Sequence, residues 1–171
     1  MKKNVWIMNH YAGNMLFDKG GRHYWFAKYL QRSGYHPIIF ACNTKHNPGT
    51  EVFFDTDKLW EEHIAEEIET PFVFVRSRLY HDNGKERILN MLSFYRNVMK
   101  AAKEYAKEHG KPDIIYASSV HPLTLVAGIK LAKHFGVKCI CEVRDLWPEA
   151  IIAYSKRLTK ENWIAKILYS G

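Results

Sequence analysis

Ser118, Ser119, His121 and Pro122 stand together at the end of a short apolar run, Ile114 to Ala117. Hydroxyls and an imidazole at a strand end can donate, accept and relay protons, and Pro122 suits the first position of a helix, where its missing N–H costs nothing. His121 therefore either faces a substrate or caps its helix. A second run, Val137 to Val143, ends in Glu142, Arg144 and Asp145. Arg144 and Asp145 either line a site or form an ion pair tying the strand end to a helix. Glu142 either serves that site or is buried against Arg144. His10 closes the apolar run Val5 to Met8, and Gly20 and Gly21 precede Arg22 and His23. A glycine pair opening a helix lets backbone approach a ligand, and the N–H groups there favour phosphate; the bland reading is a simple turn, with Arg22 and His23 as packing residues. The pair is not the G-x-G-x-x-G of a dinucleotide fold, and Ala41-Cys42-Asn43 stands where an acid would be needed, which argues against NAD.

These residues need elements to position them. Val5–Met8 and Pro37–Cys42 read as strands around a helix from Arg22 to Arg32, with His23, Phe26, Ala27 and Leu30 on one face and Gly34 as its stop. Leu123, Val126, Ala127 and Leu131 form the stripe of a helix ending at Gly136, between strands Ile114–Ala117 and Val137–Val143. Asn47-Pro48-Gly49 and His81–Gly84 are turns, and Phe72–Val75 is a strand running into Arg76-Ser77-Arg78. Residues 60–68 fit helix spacing and strand alternation alike, and their acids read as a solvated face. The longest helix spans Glu86–His109, with Ile88, Met91, Leu92, Tyr95, Val98, Met99, Ala102 and Ala106 on its inner stripe and its arginines on the surface. A short helix at Ala150–Tyr154 and another capped by Thr159 are expected to follow. The alternation implies an α/β fold, a parallel sheet with helices on both faces. The strands ending at Met8, Ala117 and Val143 should then carry His10, His121 and Asp145 along one edge, the edge where ligands bind.

At 171 residues and 47% apolar, the chain is long and apolar enough for one globular domain. It has no apolar run of membrane-spanning length, and its N-terminal apolar stretch is too short for a signal peptide, so a cytoplasmic protein is expected. Cys42, Cys139 and Cys141 all fall in predicted strands and read as reduced core residues. The net charge of +7 hides an asymmetry. Residues 51–75 carry eight acids and one base (−7), which leaves the rest of the chain at +14. Nucleic acid, anionic membrane and phosphorylated substrates all suit such a basic body.

Four segments together carry a family resemblance: NHYAGN…KGGRHYWFAKYLQRSGY, RILNMLSF, PDIIYASSVHPLTLVAGIKLAK and EVRDLWPEAI. The chain resembles the N-terminal domain of a GT-B glycosyltransferase of family 4, in the branch that builds bacterial capsule and O-antigen polysaccharides. The resemblance implies a Rossmann-like domain over residues 1–171. It also implies a second, donor-binding domain with a spaced glutamate pair, absent from this chain, so the chain alone is expected to be inactive. By resemblance, Gly20 and Gly21 would lie against the donor's diphosphate and His121 beside the reacting sugar. His10, Arg22, Ser118, Ser119, Glu142, Arg144 and Asp145 are the candidate substrate-binding residues. The implied reaction retains anomeric configuration, takes a nucleotide-sugar as donor and needs neither metal nor cofactor. The implied acceptor is a glycan, lipid-linked, which would bring the enzyme to the inner face of the cell membrane through its basic surface. The rival is a stand-alone Rossmann-like nucleotide-binding or regulatory module. Nucleic-acid binding lacks any motif here.

Overall fold

The computed structural model describes residues 2–46, 49–81 and 84–144. Asp145, the Trp147-Pro148-Glu149 stretch, both C-terminal helices and parts of the two predicted turns lie outside the described residues. In chain order the elements are β1 (Asn4–Met8), α1 (Asn14–Phe17), α2 (Arg22–Arg32), β2 (His36–Cys42), β3 (Trp60–Ala65), β4 (Thr70–Val75), α3 (Lys85–His109), β5 (Ile114–Ser118), α4 (Pro122–Phe135) and β6 (Lys138–Glu142). Among the described residues they build a six-stranded sheet in the order β3-β4-β2-β1-β5-β6.

All neighbours pair in parallel except β3 and β4. Leaving β3 aside, the parallel strands lie in the order third, second, first, fourth, fifth, which is the Rossmann-like arrangement. The strand order reverses between β1 and β5, which themselves run parallel. The expected parallel sheet with flanking helices is present, with one antiparallel edge strand, β3, and the reason for its direction is connection length. Only a 3₁₀ turn at Glu66–Ile68 and Glu69, at φ 48°, separate β3 from β4, far too little chain for a crossover. Strand alternation prevails over helix spacing in this segment. Trp60 and Glu62 face α3, where the Tyr105 hydroxyl donates to Glu62 Oε2 at 2.6 Å. Glu62 is thus a partner to a buried phenol rather than part of a solvated face.

Period-two side chains fill both faces. Trp6, Met8, Phe40, Val73 and Val75 pack beneath α3 and α4, while Val5, Ile7, Ile39, Ala41, Phe72 and Phe74 pack beneath α2. The α3 stripe is rotated from the one expected. Asn90, Phe94, Val98, Ala101, Ala102 and Tyr105 are its buried residues; Met91, Leu92 and Tyr95 are half-buried and Ile88 is exposed. The helix packs against both the sheet and α4, so these two contacts together, rather than the expected stripe alone, set its inward face. In α4 likewise, Ala127 and Leu131 are buried as expected, whereas Val126 is exposed and Thr124, Gly128 and Ala132 take the inner positions. A Cβ at Gly128 would sit 2.5 Å from that of Ala117, so the glycine permits α4 to lie close on β5. In α2, Phe26 is exposed beside buried His23, Tyr24 and Ala27. Cys42 is buried, but Cys141 is exposed on β6, an edge strand among the described residues. The core assignment for Cys141 is therefore corrected, and β6 as a whole is less buried than a β-branched run suggested.

Candidate functional site

The residues following β1 and β5 meet where the strand order reverses. His10 Nδ1 and His121 Nε2 are 2.6 Å apart, so one ring donates and the other accepts. Both rings are buried, at 0% and 1% exposure. His10 stacks on Phe94 with centroids 4.3 Å apart and meets His121 edge-on at 4.8 Å. Burial is the main cause that holds His10 well below the usual imidazole range, with His121 adding to it. Burial likewise brings His121 down to about 4, with help from the Arg87 charge. Both imidazoles are held neutral, and the N–H of one is donated to the bare nitrogen of the other. His121 does not cap α4 through its side chain: no such bond forms, and the ring turns to His10 instead. Its Nδ1 is buried with no partner among the described residues.

Beside this pair, Glu142 gathers the second group. It accepts from Ser118 Oγ at 2.6 Å, forms an ion pair with Arg22 at the start of α2, and lies 3.7 Å from His23 Nε2. Burial alone would raise this carboxyl. The Ser118 hydrogen bond, with Tyr116, Arg22 and His23, outweighs it and holds Glu142 below the usual carboxylate range. Burial lowers His23 to about 4 against the pull of Glu142, and pushes Tyr116 up to about 12 with Glu142 adding to the rise. The partner of Glu142 is thus Arg22, not Arg144. Ser119 accepts from the Arg144 backbone N–H at 2.9 Å and donates its own N–H to the Glu142 carbonyl, closing the ends of β5 and β6 together.

Gly21 heads α2 at φ 96°, a conformation open to glycine, and a Cβ there would lie 3.0 Å from Met15 Cγ. Gly20 has no such constraint: its nearest neighbour would be the Asp18 carbonyl at 3.5 Å. Arg22 joins the cluster through its ion pair to Glu142, and Gly21 precedes it as the residue that opens α2. His10, Ser118, Ser119, His121, Glu142 and Arg144 are all at the carboxyl edge of β1, β5 and β6, while Asp145 lies outside the described residues.

Sequence reasoning missed Tyr11, His46, Arg87 and Asn90. Arg87 is not a plain surface residue: its Nε donates to the Tyr11 hydroxyl at 3.2 Å. Tyr11 stacks on His46 at 4.2 Å, and His46 Nδ1 lies 2.7 Å from the Tyr80 hydroxyl. Asn90, fully buried, faces His10 and donates to the Arg78 carbonyl. The signal for these residues was weak; an asparagine inside an apolar helix stripe was the one visible anomaly.

Among the described residues no group of three or more His, Cys, Asp and Glu side chains is arranged to hold a metal ion. None of their helices is long and apolar enough to cross a membrane.

Compared with protein-family models, the chain matches none, and no curated protein matches it either. Among solved structures it is similar to the C-terminal domain of a hydrogenase from Pyrococcus furiosus, at 12% identity and a TM-score of 0.52, over 84% of this chain and 93% of that one. That likeness shows the fold alone. It is also similar to a UGT transferase from Siraitia grosvenorii in complex with UDP, at 10% identity and a TM-score of 0.46, over 82% of this chain and 27% of that one. A likeness at that level carries no argument.

Proposed function

We propose that this chain is the acceptor-side domain of a retaining GT-B glycosyltransferase of family 4, in the capsule and O-antigen branch. A second domain would supply the nucleotide-binding half of the cleft. One observation carries the reading: a buried, neutral His10–His121 pair lies at the strand-order reversal, beside a helix opened by a glycine pair. The motif resemblance adds the reaction class.

In this reading the bond from the sugar's anomeric carbon to the donor's diphosphate breaks, a bond from that carbon to the acceptor hydroxyl oxygen forms on the same face, and the hydroxyl's proton passes to the departing diphosphate oxygen. Positive charge builds on the sugar ring and negative charge on the departing diphosphate. The α2 N-terminal N–H groups, reached through Gly20 and Gly21, face the diphosphate, where fixed dipoles stabilise charge without reorganising. Arg22, fixed by Glu142, adds a positive group at the same helix end. His121 stands at the sugar side of the cleft, its Nδ1 buried and without a hydrogen-bond partner among the described residues, and His10 is a positioning residue that fixes its ring. Ser118, Ser119 and Arg144 hold the strand ends in register, and no step requires a metal. The donor is a nucleotide-sugar and the acceptor a glycan, lipid-linked, met at the membrane surface by the basic body of the chain.

The test is transfer of radiolabelled sugar from a panel of nucleotide-sugars to lipid-linked glycans, using protein expressed from the complete gene. Transfer with retained configuration is expected. Absence of transfer from every donor, together with micromolar nucleotide binding by the 171-residue chain, would replace this reading with the nucleotide-binding module.

A further inference from the structure

A second cleft opens on the same sheet edge, past the ends of β2 and β4. It encloses about 510 Å³ and is lined by, among others, Phe54, Asp55, Arg76, Arg78, Ser93 and Asn97. That volume falls within the roughly 300–1,000 Å³ of small-molecule sites. Its walls are built rather than incidental. Buried Asn43 clamps one wall: its Nδ2 donates to the Phe54 carbonyl at 2.8 Å, and its Oδ1 accepts from the Phe54 N–H at 3.1 Å. On the other wall, Ser93 Oγ accepts from the Arg78 N–H at 3.0 Å, and Asn97 Nδ2 donates to the Arg76 carbonyl at 2.7 Å. Arg76 is engaged with Asp57, donating Nη1 to its carbonyl at 3.0 Å.

These bonds leave a specific set of groups unspent. The guanidinium of Arg78 makes no side-chain hydrogen bond among the described residues, its charge facing only that of Glu86, and the carboxylate of Asp55 and the Oδ1 of Asn97 likewise accept no side-chain hydrogen bond there. One is a planar fork of donors and two are acceptors. Vicinal hydroxyls, each able to donate and accept, match such a set. Charge points the same way: Asp55 and Asp57 balance Arg76 and Arg78, so the lining has no net charge to draw a polyanion. A nucleoside diphosphate would bring its charges against two carboxylates, whereas an uncharged ring of hydroxyls meets no such repulsion. Phe54 and Leu79 supply apolar surface for the C–H face of a ring.

We infer that the cleft between the ends of β2 and β4 binds an uncharged saccharide, the sugar of the acceptor. The acceptor role rests on the glycosyltransferase reading; the saccharide site rests on the cleft alone. Asn90 links the two places, facing His10 on one side and holding the Arg78 carbonyl on the other.

Amide NMR of the 171-residue chain tests this, with methyl glycosides of glucose, galactose, N-acetylglucosamine and rhamnose as probes, and UDP as the charged control. At least one glycoside should shift the amides of Ser77, Arg78, Ser93 and Asn97 saturably, and UDP should leave those amides in place. Asp55→Asn and Arg78→Ala change exposed side chains, and each should weaken glycoside binding roughly tenfold, the loss of one good hydrogen-bonded contact. The spectra themselves report whether each variant is folded. Shifts by none of the four glycosides, shifts unaltered in both variants, or competition by UDP would overturn the inference. Because no donor or turnover is involved, its failure leaves the transferase reading to its own assay. Conversely, glycoside binding without transfer would retain the site and remove only its acceptor role.

Discussion

At the ends of β1 and β5 the sheet edge presents two imidazoles, His10 and His121, buried and hydrogen-bonded to each other. Two strands away, at the ends of β2 and β4, it presents Arg76, Arg78, Asp55 and Asp57, all exposed. The first arrangement removes titratable groups from water and leaves them neutral, so that a hydrogen bond made there is strengthened by low dielectric. The second keeps charges solvated and adaptable, which suits reversible capture of a hydroxylated ligand. One edge thus carries a rigid, neutral region and an open, charge-balanced one, and Asn90 joins them.

Acid should have the largest effect, and it should act through the buried region. His10, His23 and His121 have folded-state values depressed below the ordinary imidazole value, the latter two to about 4. The unfolded chain therefore binds more protons than the folded one below about pH 6.5. Their contribution to stability is full above that pH and is lost as pH falls toward 4, at up to about 1.4 kcal/mol per pH unit for each histidine. Urea denaturation between pH 7.5 and 4.5 should show this slope. His121→Gln should flatten it, and Arg78→Ala in the open cleft should not. A profile flat across that interval would mean the histidines are solvated.

Packing under the pair comes next. Phe94 is buried and carries the stacked His10, so Phe94→Ala should cost about 3–5 kcal/mol in chemical denaturation. Leu92 is half-buried, and Leu92→Ala should cost only about 1 kcal/mol, near half the burial value of a leucine. The reverse ranking would restore the stripe read from the sequence.

That stripe illustrates where the sequence stopped being informative. The first half of α3 is apolar on most sides, with Ile88, Leu89, Met91, Leu92, Phe94 and Tyr95 within two turns. Periodicity identifies such a helix but not its rotation, which is set by packing on sheet and α4 together. Strand β3 was only half legible, because its alternation competed with helix spacing, and alternation carries no direction; the short turn to β4 supplies it. The carboxyl-edge position of His10, Ser118 and His121 was legible because each apolar run breaks into polar residues on one side, and parallel strands put those breaks on one edge. The pairings were not legible. His10 with His121 and Arg22 with Glu142 join residues 111 and 120 positions apart, beyond any local rule.

The glycine pair gives the smallest contrast. Gly21→Ala forces a side chain into positive φ and against Met15, and should cost roughly 1–2 kcal/mol. Gly20→Ala meets no close contact and should leave stability within about 0.5 kcal/mol. Equal costs at both positions would mean that α2 starts differently.

In the proposed function the His10–His121 pair serves sugar transfer rather than merely filling the edge. That role is tested most directly by measuring kcat/KM and unfolding free energy on the same His121→Ala variant of the complete gene product. Transfer should fall by roughly two to four orders of magnitude, the range for a positioned polar group. Stability should fall by about 1–3 kcal/mol, because His10 Nδ1 is left without its partner. A folded variant with that stability loss and wild-type transfer would contradict the account and reduce the pair to packing.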